Sequence, residues 1–150
     1  MVKAIAVGTD GSDTAKKAVD FALDMAERYQ AKVVFASAYV PVSESRLRRE
    51  KEDAPEDIQW SINPSEEVDD TLRNVEEQAK ERGLDYASEA RTGDPADVIV
   101  DIASDHDVDV IVVGNKGMHR KILGSVPNSV SHNAPCTVVI VDTSAGARRR

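Results

Sequence analysis

Short apolar runs alternate along this chain with longer stretches in which apolar residues recur every three or four positions. Residues 4–7, 32–38, 84–91, 110–113 and 137–141 read as five strands, the third weaker and at an edge. After the first, Ala15, Ala18, Val19, Ala22, Met25, Ala26 and Tyr29 form one stripe of a helix, with Lys16, Lys17, Asp20, Asp24 and Glu27 opposite. A second helix starts at Asn63-Pro64-Ser65-Glu66, turns Val68, Leu72, Val75 and Ala79 inward and stops near Gly83. Thr92-Gly93-Asp94-Pro95 leads into a third, whose apolar face is Val98, Ile99, Ile102 and Ala103. The last runs over 125–132 with Ser125 as its N-cap, and His132-Asn133-Ala134-Pro135 aims the final strand. Alternation of this kind predicts an α/β fold: a mostly parallel sheet with helices on both faces.

The polar stretch 41–63, which holds Arg46, Arg48, Arg49, Glu50, Lys51, Glu52 and Asp53, breaks the alternation. Connections of that length serve as lids, interface arms or partly disordered segments. Without a repeat or composition break, residues 1–143 are expected to form one domain and 144–150 a flexible tail.

With 150 residues, 41% hydrophobic and 31% charged, the chain has the composition of a globular protein rather than a disordered one. A net charge of −8 opposes nucleic acid as a general partner. The single cysteine, Cys136, excludes an internal disulfide and reads as a small buried hydrophobe. Met1 to Val7 enters a strand without a signal-peptide pattern, and no apolar stretch suits a bilayer, so a cytoplasmic location is expected. His106, His119 and His132 are too dispersed for a metal site, and Asp101, Asp105, Asp107 and Asp109 read as a solvated helix end and turn.

Two glycine-bearing segments follow strands. Gly8-Thr9-Asp10-Gly11-Ser12 follows the first; Gly114 to Ser125 follows the fourth and contains the basic run Lys116, His119, Arg120 and Lys121. A helix start offers unpaired N–H groups and partial positive charge, and glycine lets backbone approach an anion closely. The second segment therefore reads as an anion cradle. Asp10 suits a ribose hydroxyl or a divalent cation near phosphate oxygens, or else a turn in which it bonds its own backbone. Gly93 reads as a turn glycine at least as readily as a ligand contact. The spacing is Gly-x2-Gly-x6-Gly-Ser, neither a P-loop nor the dinucleotide Gly-x-Gly-x-x-Gly.

Continued by Val126-Pro127-Asn128-Ser129-Val130 and the closing strand, this pattern resembles the ATP-binding branch of the universal stress protein family. That family's motif is usually Gly-x2-Gly-x9-Gly-Ser/Thr, so the loop between Gly117 and Gly124 is three residues shorter here. The resemblance covers nearly the whole chain. It implies a doubly wound five-stranded sheet of order 3-2-1-4-5, of the adenine nucleotide α-hydrolase-like kind, with the crevice between strands one and four. It implies ATP as ligand, with Gly8, Thr9 and Asp10 at base and ribose and main-chain contact from Ala38 to the adenine edge. Gly114, Gly117, Gly124, Ser125 and Val126 match its phosphate positions, with Asn115 between them at ribose or phosphate; Mg2+ would be held through the phosphates beside Asp10. It further implies a homodimer paired through strand 137–141 and a role as stress-response sensor or adaptor. The shortened loop motivates an alternative ligand: AMP, a cyclic nucleotide or none. A second alternative is a slow ATP-hydrolysing or phosphotransfer enzyme completed by the 41–63 arm, since no general base or paired carboxylate stands over the cradle.

Overall fold

The computed structural model of the protein describes residues 1–39, 64–115 and 123–142. The expected arm 41–63, the cap residue Asn63, the basic run Lys116 to Lys121 with Gly117, and the tail 144–150 lie outside the described residues. In chain order the elements are β1 (Ala4–Gly8), α1 (Asp13–Tyr29), β2 (Lys32–Tyr39), α2 (Pro64–Glu81), β3 (Tyr86–Thr92), α3 (Pro95–Asp105), β4 (Val110–Gly114), α4 (Ser125–Asn133) and β5 (Thr137–Val141). All four strand pairings are parallel, in the order β3-β2-β1-β4-β5.

Side chains alternate across a strand, so each central strand supplies both faces of the sheet. Ile5, Val7, Val33, Phe35, Val110 and Val112 pack with α1 and with Leu72, Val75 and Ala79 of α2. Ala6, Val34, Ala36, Ile111 and Val113 face the other way, onto α3 and onto Val130 of α4. Two apolar layers enclose a sheet whose inner strands are nearly all Val, Ile, Phe and Ala, the pattern of a strand buried on both sides. Strand β5 is half-buried along Val138 to Val141, and β3 is half-buried over most of its length, as edge position dictates.

Three sequence expectations shift, each for a local reason. Leu84 does not begin β3: its N–H donates to the Ala79 carbonyl behind Gly83, closing the C-terminus of α2. Tyr29 ends α1 and is exposed, because Gln30 takes the left-handed conformation and turns the chain directly into β2; Leu23 joins the buried face instead. Asp109 is not merely a solvated turn residue. Its Oδ2 accepts from Lys3 N–H at 2.7 Å and Ala4 N–H at 3.1 Å, clamping the start of β1 to β4. These two backbone donors, Lys3 first, hold its carboxyl below the usual range, so the clamp is in place at neutral pH and is lost as pH falls through that lowered value.

On the α3 side, Glu89 of β3 bonds Arg91 and His106, and Arg91 also pairs with Asp105 at 2.8 Å. The Arg91 guanidinium, followed by His106, lowers the Glu89 carboxyl. The network ties the edge strand to the C-terminal end of α3.

Candidate functional site

The carboxyl tips of β1 and β4 are neighbours, since Ile5, Ala6 and Val7 pair with Val110, Ile111 and Val112. Successive crossovers from these strands leave in opposite directions, so a crevice opens between them, where ligands of doubly wound sheets bind. It is a cleft of about 410 Å³. The strand tips contribute Gly8, Thr9, Asp10, Ala36, Ala38, Val113 and Gly114; α1 contributes Ser12, Thr14 and Ala15; α3 contributes Pro95 and Ile99; α4 contributes Gly124, Ser125, Val126 and Pro127. The structure thus brings together eight of the ten residues singled out in the sequence: Gly8, Thr9, Asp10, Ala38, Gly114, Gly124, Ser125 and Val126.

Two of the glycines prove to be sites of close helix approach. A Cβ on Gly114 would stand 2.8 Å from Thr14 Cγ2 and 2.9 Å from the Thr14 carbonyl oxygen, so the bare backbone lets α1 start against the tip of β4. A Cβ on Gly8 would meet Ile99 Cδ1 at 2.6 Å, so this glycine makes room for the α3 side chain that walls the cleft. Gly11 serves conformation: its φ of +81° turns the loop into α1. Thr9 is buried, and its N–H donates to the Ala36 carbonyl at 2.9 Å, pinning the β1 loop to β2. Asp10 lines the cleft while its Oδ1 accepts from Ser12 N–H at 2.9 Å, so the backbone-turn reading holds for that oxygen.

The helix starts around the cleft differ in one respect. Ser12 caps α1 by accepting from Ala15 N–H, and Asp94 caps α3 by accepting from Ala96 and Asp97 N–H. The cap of α4 is Gly124, extended at φ −66° and ψ 169°, and it has no side chain with which to cap. This corrects the expectation that Ser125 is the cap: Asn128 N–H donates to the Gly124 carbonyl, and Ser125 is the first helical residue.

A helix start has four N–H groups without intrahelical acceptors. Here Gly124 N–H donates to Asn115 Oδ1 at 2.8 Å, and Pro127 has none to offer. Among the described residues no hydrogen-bond acceptor meets Ser125 or Val126 N–H, and both residues line the cleft at the positive end of the α4 dipole. Asn115 itself, expected at ribose or phosphate, lies fully buried beneath the lining.

Sequence reasoning missed Ser12, Thr14, Ala15, Ala36, Pro95, Ile99, Val113 and Pro127 as lining residues. Pro95 and Ile99 read as a turn and a core face, and only the tertiary packing of α3 over Gly8 turns them toward the cleft.

Fold and site together define a doubly wound α/β domain with a crevice at its switch point. The chain belongs to the universal stress protein family, whose model matches residues 1–142. It is 35% identical over 146 residues to the universal stress protein Rv1636 of Mycobacterium tuberculosis, covering 95% of this chain and 97% of that one. A universal stress protein solved in complex with cAMP is 33% identical, with a TM-score of 0.73, covering 95% of this chain and 99% of its own. An Arabidopsis thaliana family protein solved with AMP bound shares the fold at 18% identity and a TM-score of 0.69, covering 95% of this chain and 93% of its own. Among the described residues no helix is long and apolar enough to cross a membrane.

Proposed function

We propose that this protein binds an adenine nucleotide in the cleft between β1 and β4 and acts as a dimeric stress-response sensor or adaptor. The observation that carries the binding reading is the start of α4, where Ser125 and Val126 line the cleft and the Gly124 cap has no side chain to take up their N–H groups. Hydrogen bonds to a charged oxygen contribute about 1.5–3 kcal/mol each. Two of them supply a large part of the roughly 8 kcal/mol of a micromolar complex. Burial of the base against Ala36, Ala38, Pro95 and Ile99 supplies the remainder, at about 25 cal/mol per Å² of apolar surface. Asp10 is the one carboxylate in the described lining, placed for a ribose hydroxyl or for Mg2+ held mainly by phosphates. A lone carboxylate already engaged by Ser12 N–H favours binding over catalysis as the role of this cleft.

ATP is the load that the family resemblance implies. The cAMP-bound relative, at 33% identity, favours a second reading in which a single phosphate suffices. Calorimetric titration of the protein with ATP, ADP, AMP and cAMP, with and without magnesium, separates the two. At least one is expected to bind with micromolar affinity or better; no heat from any of them at millimolar concentration would defeat the proposal.

The dimer rests on β5. This edge strand is β-branched throughout, and an uncovered edge favours pairing with another chain. Light scattering at micromolar concentration is expected to give twice the 16.3 kDa chain mass; a monomer mass alone would refute it.

A further inference from the structure

We infer that Asn115 is a positioning residue for the nucleotide phosphate, acting through Gly124; the inference rests on the nucleotide reading above. The side chain follows directly on β4 and is fully buried, an expensive place for an amide unless its polar atoms are used. Its Oδ1 accepts the Gly124 N–H at 2.8 Å, a bond between residues nine positions apart that links the end of β4 to the cap of α4. The bond has two consequences for the site.

It fixes the start of α4 relative to the tip of β4, so that Ser125 and Val126 N–H converge on the cleft. It also removes one amide from competition. With Gly124 N–H held by Asn115 and no N–H on Pro127, the anion meets a defined pair of donors. An amide suits the task better than a carboxylate. It accepts the same hydrogen bond without setting a buried negative charge beneath a phosphate. Adenosine, which has no phosphate, does not depend on this pair.

The test compares AMP with adenosine by calorimetry, and follows the Gly124 amide by hydrogen exchange in the nucleotide-free protein. Asn115→Ala is expected to weaken AMP by roughly tenfold, the value of one lost positioning bond, while adenosine stays within about twofold. The Gly124 amide is expected to exchange about tenfold faster or more. Equal weakening of both ligands, unchanged AMP affinity or unchanged Gly124 protection would each overturn the inference.

Should Asn115→Ala not fold, Asn115→Asp takes its place. That variant keeps the acceptor and the Gly124 protection, and its added charge lowers AMP affinity by tenfold or more with adenosine spared. Loss of Gly124 protection in Asn115→Asp, or unaltered AMP affinity, would overturn the inference as well. A native protein that binds none of ATP, ADP, AMP and cAMP defeats the nucleotide reading, and the phosphate role with it, whereas an unprotected Gly124 amide in a nucleotide-binding protein, or a native protein that binds adenosine as tightly as AMP, defeats the inference alone.

Discussion

Gly114→Ala is expected to destabilise the protein by about 1–3 kcal/mol, the usual cost of forcing an extra carbon into a packed site. The added Cβ meets the Thr14 carbonyl oxygen at 2.9 Å, and backbone in the first turn of a helix cannot rotate away. Relief requires α1 to withdraw from the tip of β4, and Ser12, Thr14 and Ala15 line the cleft from that turn. Nucleotide affinity should therefore fall together with stability. For a chain of this size the melting temperature drops by roughly 3–10 °C.

Gly8→Ala is expected to cost less. There the clash distance is shorter, 2.6 Å, but the obstacle is Ile99 Cδ1, the far end of a flexible side chain. A rotamer change relieves it for about 1 kcal/mol, and Ile99→Val, which deletes that carbon, should restore much of the loss. Urea unfolding of the two single variants and of Gly8→Ala with Ile99→Val decides. A Gly8 variant less stable than the Gly114 variant would contradict the structural roles given to both glycines.

The fold was legible in the sequence because the inner strands are continuous apolar runs and the helices carry one-sided stripes. Boundaries slipped where a cap claimed a residue, as with Leu84 behind Gly83. Strand order came from the family resemblance and not from periodicity, since Val7 and Val112 become neighbours only through pairing across a hundred residues of chain. The positions of the site were readable as glycines after strands. Their reasons were not. Gly8 and Gly114, candidates for base or ribose and for phosphate, line the cleft, and their missing side chains also admit Ile99 and Thr14, partners that no local pattern reveals. Asn115 is a ligand-contact candidate because it lies between matched phosphate positions; its burial and its bond to Gly124 N–H appear only in three dimensions.

Proline at position 125 is the most selective perturbation the site allows. Gly124 is already extended, the conformation a residue before proline prefers, and proline is favoured at the first position of a helix. Ser125→Pro therefore keeps α4 while deleting one of the two N–H groups proposed to meet the phosphate. Ser125→Ala removes the hydroxyl and keeps the N–H. The direct measurement is calorimetric titration of both variants and the native protein with whichever adenine nucleotide the native protein binds. The expected loss is roughly 10- to 100-fold for Ser125→Pro, corresponding to one charge-assisted bond, against a few-fold at most for Ser125→Ala, with similar melting temperatures without ligand. A folded Ser125→Pro variant that binds nucleotide as tightly as the native protein would contradict it.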